Sequence, residues 1–229
     1  MKNFIILFLT FLSFDVLSET TFPVNISGNI VEVHFDTPIS NSNDYTYQSE
    51  KLERTEELKI TTKIFEALCE YNYKSRIKYV PDEIYICTNI VENKTNEQTY
   101  GVNLKNNAIV LNIQNENFIG TLHHEICHTI INQHYEFWPD NFLLKLYREV
   151  EKYTDHGEQA DKPTLENGYV NQYASTHIIE DLCEMYEDLM VYKIETMHYI
   201  KENPNSKLAL KFGLLVDSFN KNLDYGLSL

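Results

Sequence analysis

Apolar residues fall first into short, dense runs and later into long stripes. Residues 29–38, NIVEVHFDTP, place Ile30, Val31, Val33 and Phe35 in the loose alternation of a strand. A polar linker, NSNDYTYQSE, follows at 41–50. Leu52, Leu58, Ile60, Ile64, Phe65, Leu68 and Cys69 then recur at mostly helical spacing, which predicts a helix over about 49–72. EIYICTNI (83–90) and NAIVLNI (107–113) carry the branched and aromatic residues of strands, with a polar, Asn-rich loop between them.

Beyond this point the pattern is helical. One helix is predicted over about 118–136, stopping before Pro139, because the residue ahead of a proline is disfavoured in a helix. Others are predicted over about 140–153 and 176–201. Leu208, Phe212, Leu215, Val216, Phe219 and Leu223 then mark a last helix, three or four apart on one stripe. Strands first and helices afterwards predict an α+β domain with a small N-terminal sheet and a helical C-terminal half. A chain of 229 residues suits one domain with a sizeable core.

The start, MKNFIILFLTFLSFDVLSETTFP, sets Lys2 before an uncharged apolar run from Phe4 to Phe14, with Val16 and Ser18 beyond. That is the layout of a secretory signal peptide over residues 1–18, leaving 19–229 as a single mature domain, secreted or periplasmic. The run falls short of the ~20 residues that span a bilayer, and no later stretch is long and apolar enough, so no membrane span is expected in the mature chain.

The formal charge of −15 survives cleavage, since Lys2 and Asp15 cancel. A chain this acidic is not built for nucleic acid or anionic lipid. Four cysteines in an exported chain permit up to two disulfides.

The chemistry concentrates in TLHHEICHTIINQH, residues 121–134. His124-Glu125-Ile126-Cys127-His128 is H-E-x-x-H, which on a helix stacks two imidazoles one turn apart, within reach of one ion. Glu125 lies beside the pair, placed to take a proton from a metal-bound water. Histidines satisfied within a helix are the plain alternative. A catalytic zinc site needs a third protein ligand and an open position.

His134 has the metzincin spacing, but Ile131 stands where that pattern needs a glycine to turn the chain back. If the helix continues, His134 lies about 9 Å beyond His128 along the axis. The other source of a third ligand is YASTHIIEDLCEMYEDL (173–189), where Glu180 and Glu184 are one turn apart. One could bind metal while the other orients a liganding histidine. Asp181, Glu187 and Asp188 make an acidic solvated face an equal reading by spacing alone.

TLHHEICHTI followed by ENGYVNQYASTHIIEDLCEMYEDL resembles the bacterial zinc-binding metallopeptidases of the substrate-import-associated zinc metallohydrolase type. It is more distantly similar to the anthrax lethal factor catalytic domain, a gluzincin. The resemblance covers about residues 105–193 and rests on two separated motifs with matching intervals. It implies a zincin-like fold with Zn2+ held by His124, His128 and Glu180, Glu125 as general base, Tyr173 as oxyanion donor and Glu184 orienting a ligand. It also implies a zinc metallopeptidase acting on peptides or proteins; the rival readings are a non-catalytic zinc-containing scaffold of the same fold and a metzincin-like enzyme using His134.

The lipid-anchor cysteine of many relatives is missing, so tethering is not implied. Cys127 and Cys183 stand where relatives carry small residues. A tight helix crossing there would allow a Cys127–Cys183 disulfide or two buried thiols, and Cys69 with Cys87 is a second possible pair. By analogy with zinc peptidases of this build, the strand at 107–113 is the expected ledge for an extended substrate.

Overall fold

In the computed structural model, which describes residues 20–35, 44–71, 77–104, 107–134, 145–146, 149 and 165–227, strands precede helices as expected. The strands in chain order are β1 (Thr20–Ile26), β2 (Asn29–Phe35), β3 (Tyr45–Gln48), β4 (Glu83–Cys87), β5 (Asn89–Glu92), β6 (Gln98–Thr99), β7 (Gly101–Leu104) and β8 (Ala108–Asn112). The helices are α1 (Arg54–Leu68), α2 (Phe118–His134), α3 (Ile178–Val191), α4 (Lys193–Glu202) and α5 (Lys207–Leu223). The expected leader and nearly all of the expected 140–153 helix lie outside the described residues.

Five strands form one mixed sheet in the order β1-β2-β4-β8-β7; β3, β5 and β6 form a second, antiparallel one. β1, absent from the sequence reading, pairs antiparallel with β2 through a two-residue turn. Ser27 and Gly28 both have positive φ there (51° and 99°), the combination that matches strand twist in a tight hairpin. Phe22, Val24 and Ile26 of β1 and Val31, Val33 and Phe35 of β2 point into the core, while Ile30 turns outward. Pro23 costs no ladder bond within the sheet because β1 is an outer strand.

The polar linker and the Asn-rich loop of the sequence reading hold β3 and β5 to β7, and the 83–90 run divides between two sheets. Short strands such as these earn their hydrogen bonds from partners far along the chain, so local pattern does not announce them. The expected ledge at 107–113 is corrected. β8 pairs with β4 on one side and β7 on the other, and all five of its residues are buried. The outer strand on that side is β7.

Burial from both faces explains why β4 and β8 read as near-continuous apolar runs. Ile84, Ile86, Ile109 and Leu111 join the core beneath the helices. Cys87 and Val110 face the other way, onto Val102 and Ile90. Cys69 packs with the helical side, so the suggested Cys69–Cys87 pair is separated by the sheet, and all four cysteines are free thiols.

The expected 176–201 helix is two helices, broken at Tyr192, whose backbone (φ −111°, ψ 35°) leaves the helical region. His177 caps α3 by accepting from the Ile179 amide. In α5, Ser206 caps the start, and the predicted stripe of Leu208, Phe212, Leu215, Val216, Phe219 and Leu223 is buried. No helix among the described residues is long and apolar enough to cross a membrane.

Phe118, Leu122, Ile126 and Ile130, one turn apart, bury the core side of α2. Beside them His123, 2% exposed, ends a chain of buried hydroxyls. Tyr225 and Tyr186 share a hydrogen bond, Tyr186 donates to the Tyr71 hydroxyl, and Tyr71 lies 2.8 Å from His123 Nδ1. Burial lowers the His123 pKa to about 4 from an ordinary 6.5. The unfolded chain therefore binds a proton near pH 6.5 that the folded chain refuses until about pH 4. Stability should fall as pH drops through this window, by up to about 3 kcal/mol from this group. Chemical denaturation of wild type and His123→Gln at several pH values should show a shallower decline in the variant. Parallel declines would remove His123 as a cause.

Candidate active site

The centre is built where α2 and α3 cross. His124 Nε2 lies 3.1 Å from His128 Nε2 and 3.1 Å from Glu180 Oε2, and His128 Nε2 lies 3.5 Å from the same oxygen. The H-E-x-x-H spacing accounts for the first distance, since both imidazoles leave one face of α2 a turn apart. The other two depend on α3, which carries Glu180 in its first turn. Three donor atoms bound at 2.0–2.2 Å in tetrahedral array stand about 3.3 Å apart, so this triangle has the dimensions of a zinc site.

His134 is not part of it. α2 runs unbroken through Ile131, and the Tyr79 hydroxyl lies 2.7 Å from His134 Nε2. This end of the helix is thus bonded to the 3-10 turn at Ile77–Tyr79.

The electrostatics of the triangle favour a cation. Burial pushes the His124 pKa down, but the hydrogen-bonded Glu180 and the adjacent carboxylate of Glu184 outweigh it and hold the pKa well above the ordinary range. Burial likewise pushes Glu180 up, and the two histidines together reverse this and hold its pKa well below the usual carboxylate range. A centre that retains a proton this strongly is one in which a dication relieves the same unbalanced carboxylates. Glu184 Oε1 lies 3.0 Å from His124 Nδ1, off the axis of a good hydrogen bond, and Glu187 Oε2 is 3.8 Å from the same nitrogen.

Glu125 faces the sheet side of α2. Burial raises its pKa, with the nearby histidines acting in the opposite sense. β7 comes close enough that a Cβ on Gly101 would stand 2.7 Å from Glu125 Oε1, so only glycine leaves this carboxylate its place. Asn103, two residues on, donates to the Glu125 carbonyl at 2.9 Å and to Thr129 Oγ1 at 2.6 Å, tying β7 to α2.

Tyr173 opens a 3-10 turn (Tyr173–Ser175) just before α3. Its ring centroid is 6.0 Å from that of His124. Tyr173 is 53% exposed, yet loss of solvent around it, then the negative charge of Glu180 and a hydrogen bond to it, raise the phenol pKa, so the hydroxyl stays protonated and able to donate. These groups border a cleft of about 640 Å³ whose other walls include Tyr45, Asn117 and Asn132.

Cys127 and Cys183 meet in hydrogen-bonding contact beneath the centre, both fully buried and unbridged. Burial, then the neighbouring thiol, raises the Cys183 pKa well above the ordinary value. The Cys183 sulfur also lies within 4.8 Å of a ring nitrogen of each of His124 and His128. The expected close crossing is present, in its two-thiol form.

Sequence reasoning missed Gly101 and Asn103, hidden in a segment read as loop. It missed Asn117, which donates to Glu187 at 2.6 Å, and Asn171, which donates to Glu184 Oε2. The solvated face that spacing alone left as an equal reading does not hold for Asp181, which is fully buried against Lys211. A glycine one residue from a strand-like tyrosine was the only local signal for any of these.

A crystal structure described as a putative zinc-binding metallo-peptidase from Bacteroides caccae is similar in fold, with a TM-score of 0.57 over 84% of this chain and 78% of that one. The two are 15% identical, so the likeness speaks for the fold alone. No curated protein matches this sequence. Residues 65–221 match a family model described as "putative zinc-binding metallo-peptidase". With that much of its length inside the model, the chain belongs to this family of metallo-peptidases.

Proposed function

We propose that this protein is a zinc-dependent peptidase of gluzincin arrangement, acting on peptides or proteins after export to a secreted or periplasmic location. The observation that carries the reading is the triangle of His124 Nε2, His128 Nε2 and Glu180 Oε2, with Glu125 and Tyr173 bordering the same cleft. These three residues would hold zinc and leave a position open, unlike a structural site closed by four protein ligands. Zinc, when bound, supplies an acidified water near neutral pH and polarises a substrate carbonyl.

Glu125 takes the proton from that water and returns it to the leaving amine. Its raised pKa brings the carboxyl closer to the range in which it can both accept and release a proton. The Tyr173 hydroxyl donates to the oxyanion that develops on the attacked carbonyl. Glu184 holds His124 from behind, keeping Nε2 turned toward the centre. An extended peptide is received along β7, an outer strand whose Gly101, Val102 and Asn103 border the cleft.

Purified protein should contain close to one zinc per chain, and elemental analysis of His128→Ala should show most of it lost. Undiminished zinc in that variant would reject the ligand set.

Glu125→Gln should keep fold and zinc yet lose peptide hydrolysis by at least about a hundredfold. Tyr173→Phe should keep zinc and lose roughly 10²–10³-fold, the scale of one oxyanion donor. Full peptidase activity in either variant would end the corresponding role.

Glu125, Glu180, Glu184 and Glu187 border the cleft, and no Lys or Arg among the described residues does. Peptides with Lys or Arg beside the scissile bond should therefore be cleaved faster than matched peptides with Asp or Glu. The difference should shrink as salt screens the field. Equal kcat/KM for the two sets at low salt would contradict this selectivity.

A further inference from the structure

Tyr173 stands in a loop, and a loop hydroxyl is useful in a transition state only if its backbone is held. The segment from Gly168 to Thr176 has few ladder bonds of its own. Its start is at Gly168, in a left-handed conformation (φ 91°), and a Cβ there would stand 3.0 Å from Lys207 Cβ of α5. The backbone thus lies against α5, and the Gly168 carbonyl accepts a hydrogen bond from Lys211 Nζ.

Lys211 is 0% exposed, unusual for a lysine. Its ammonium lies 2.6 Å from both carboxylate oxygens of Asp181, itself 0% exposed, and 4.9 Å from the ring centre of Tyr169. Asp181 directly follows Glu180 in the first turn of α3. One ammonium therefore joins α5, the helix turn carrying the third corner of the triangle, and the start of the Tyr173 segment.

A second attachment lies three residues along. Asn171 donates to Glu184 Oε2 and accepts from the Ala174 amide at 2.9 Å, capping the 3-10 turn that begins at Tyr173. The other oxygen of Glu184 is the one beside His124 Nδ1.

We propose that this double clamp, Lys211 with Asp181 at Gly168 and Glu184 with Asn171, positions the Tyr173 hydroxyl over the centre. Lys211, Asp181 and Asn171 are positioning residues: they act through Tyr173 and need not touch substrate. The inference rests on the peptidase reading above. A buried ion pair is poor value as a stabiliser, because desolvating both charges cancels much of their attraction, and apolar residues of similar size often serve as well. Apolar residues cannot supply the third partner, the bond to the Gly168 carbonyl. That bond is the part a positional role requires.

The test is a double variant, Lys211→Met with Asp181→Leu, which removes both charges together and leaves neither buried alone. It should fold, bind zinc as wild type does, and keep KM within about twofold. Its kcat should fall about ten- to hundredfold, the loss that follows from a displacement near 1 Å at a catalytic group. In a Tyr173→Phe background the same pair should lower kcat little further, because the group it positions is already gone. Wild-type kcat in the folded, zinc-loaded double variant would overturn the proposal, and so would a full additive loss on top of Tyr173→Phe.

Asn171→Ala provides an independent arm if the double variant does not fold, since Asn171 is exposed. It too should lower kcat only when Tyr173 is present, and an unchanged kcat there would overturn the clamp. A fully active Tyr173→Phe would instead remove the oxyanion role itself and the clamp with it. An impaired Tyr173→Phe beside unimpaired clamp variants would remove the clamp alone.

Discussion

The close crossing of α2 and α3 is the constraint on which the rest of the molecule depends. It brings a carboxylate from one helix to 3.1 Å from an imidazole of the other, in surroundings where Glu180 and His124 have little water to solvate them. Charged groups in such a place are costly unless paired, and two histidines cannot balance Glu180, Glu184, Glu187 and Glu125 at neutral pH without taking up protons. A dication answers that imbalance with one particle. The small, fully buried thiols of Cys127 and Cys183 let the helix backbones approach closely enough for the triangle to form.

Other contacts follow from holding this crossing in register. Glu187 leans back onto the start of α2, where Asn117 donates to it and Gly120 leaves room that a Cβ would deny it. A carboxylate at the amino end of a helix is favoured by the helix dipole. Near the other end of α3, Thr196 donates to Asp188 at 3.0 Å across the break between α3 and α4. Carboxylates of the DLCEMYEDL stretch thus have separate partners: Asp181 on Lys211, Glu184 near His124, Glu187 on Asn117 and Asp188 on Thr196. The acidic solvated face that spacing alone allowed is instead a set of separate side-chain interactions.

The sheet enters through its last strand. β7 lies against α2 through Asn103 and Gly101, so the wall facing the open part of the centre is a strand whose outer flank is unpaired among the described residues. This placement requires β8 to be interior. It explains why the strand with the strongest apolar pattern is the wrong one to meet a substrate: continuous hydrophobicity reports burial on both faces, whereas a strand that borders a cleft needs polar or absent side chains there.

The sequence by itself determined the α+β class, the H-E-x-x-H helix, the interval from Tyr173 to Glu180 and the apolar stripe of α5. Each is written in short-range spacing, and helical period or motif interval survives any tertiary context. Tertiary structure decided which outer strand faces the centre, where the short strands pair, and that His134 meets Tyr79 and not the triangle of His124, His128 and Glu180. It alone showed Lys211 reaching Asp181 and Gly168, partners 30 and 43 residues away. Pairings over such distances leave no periodic trace, because they depend on how elements pack and not on how each one repeats.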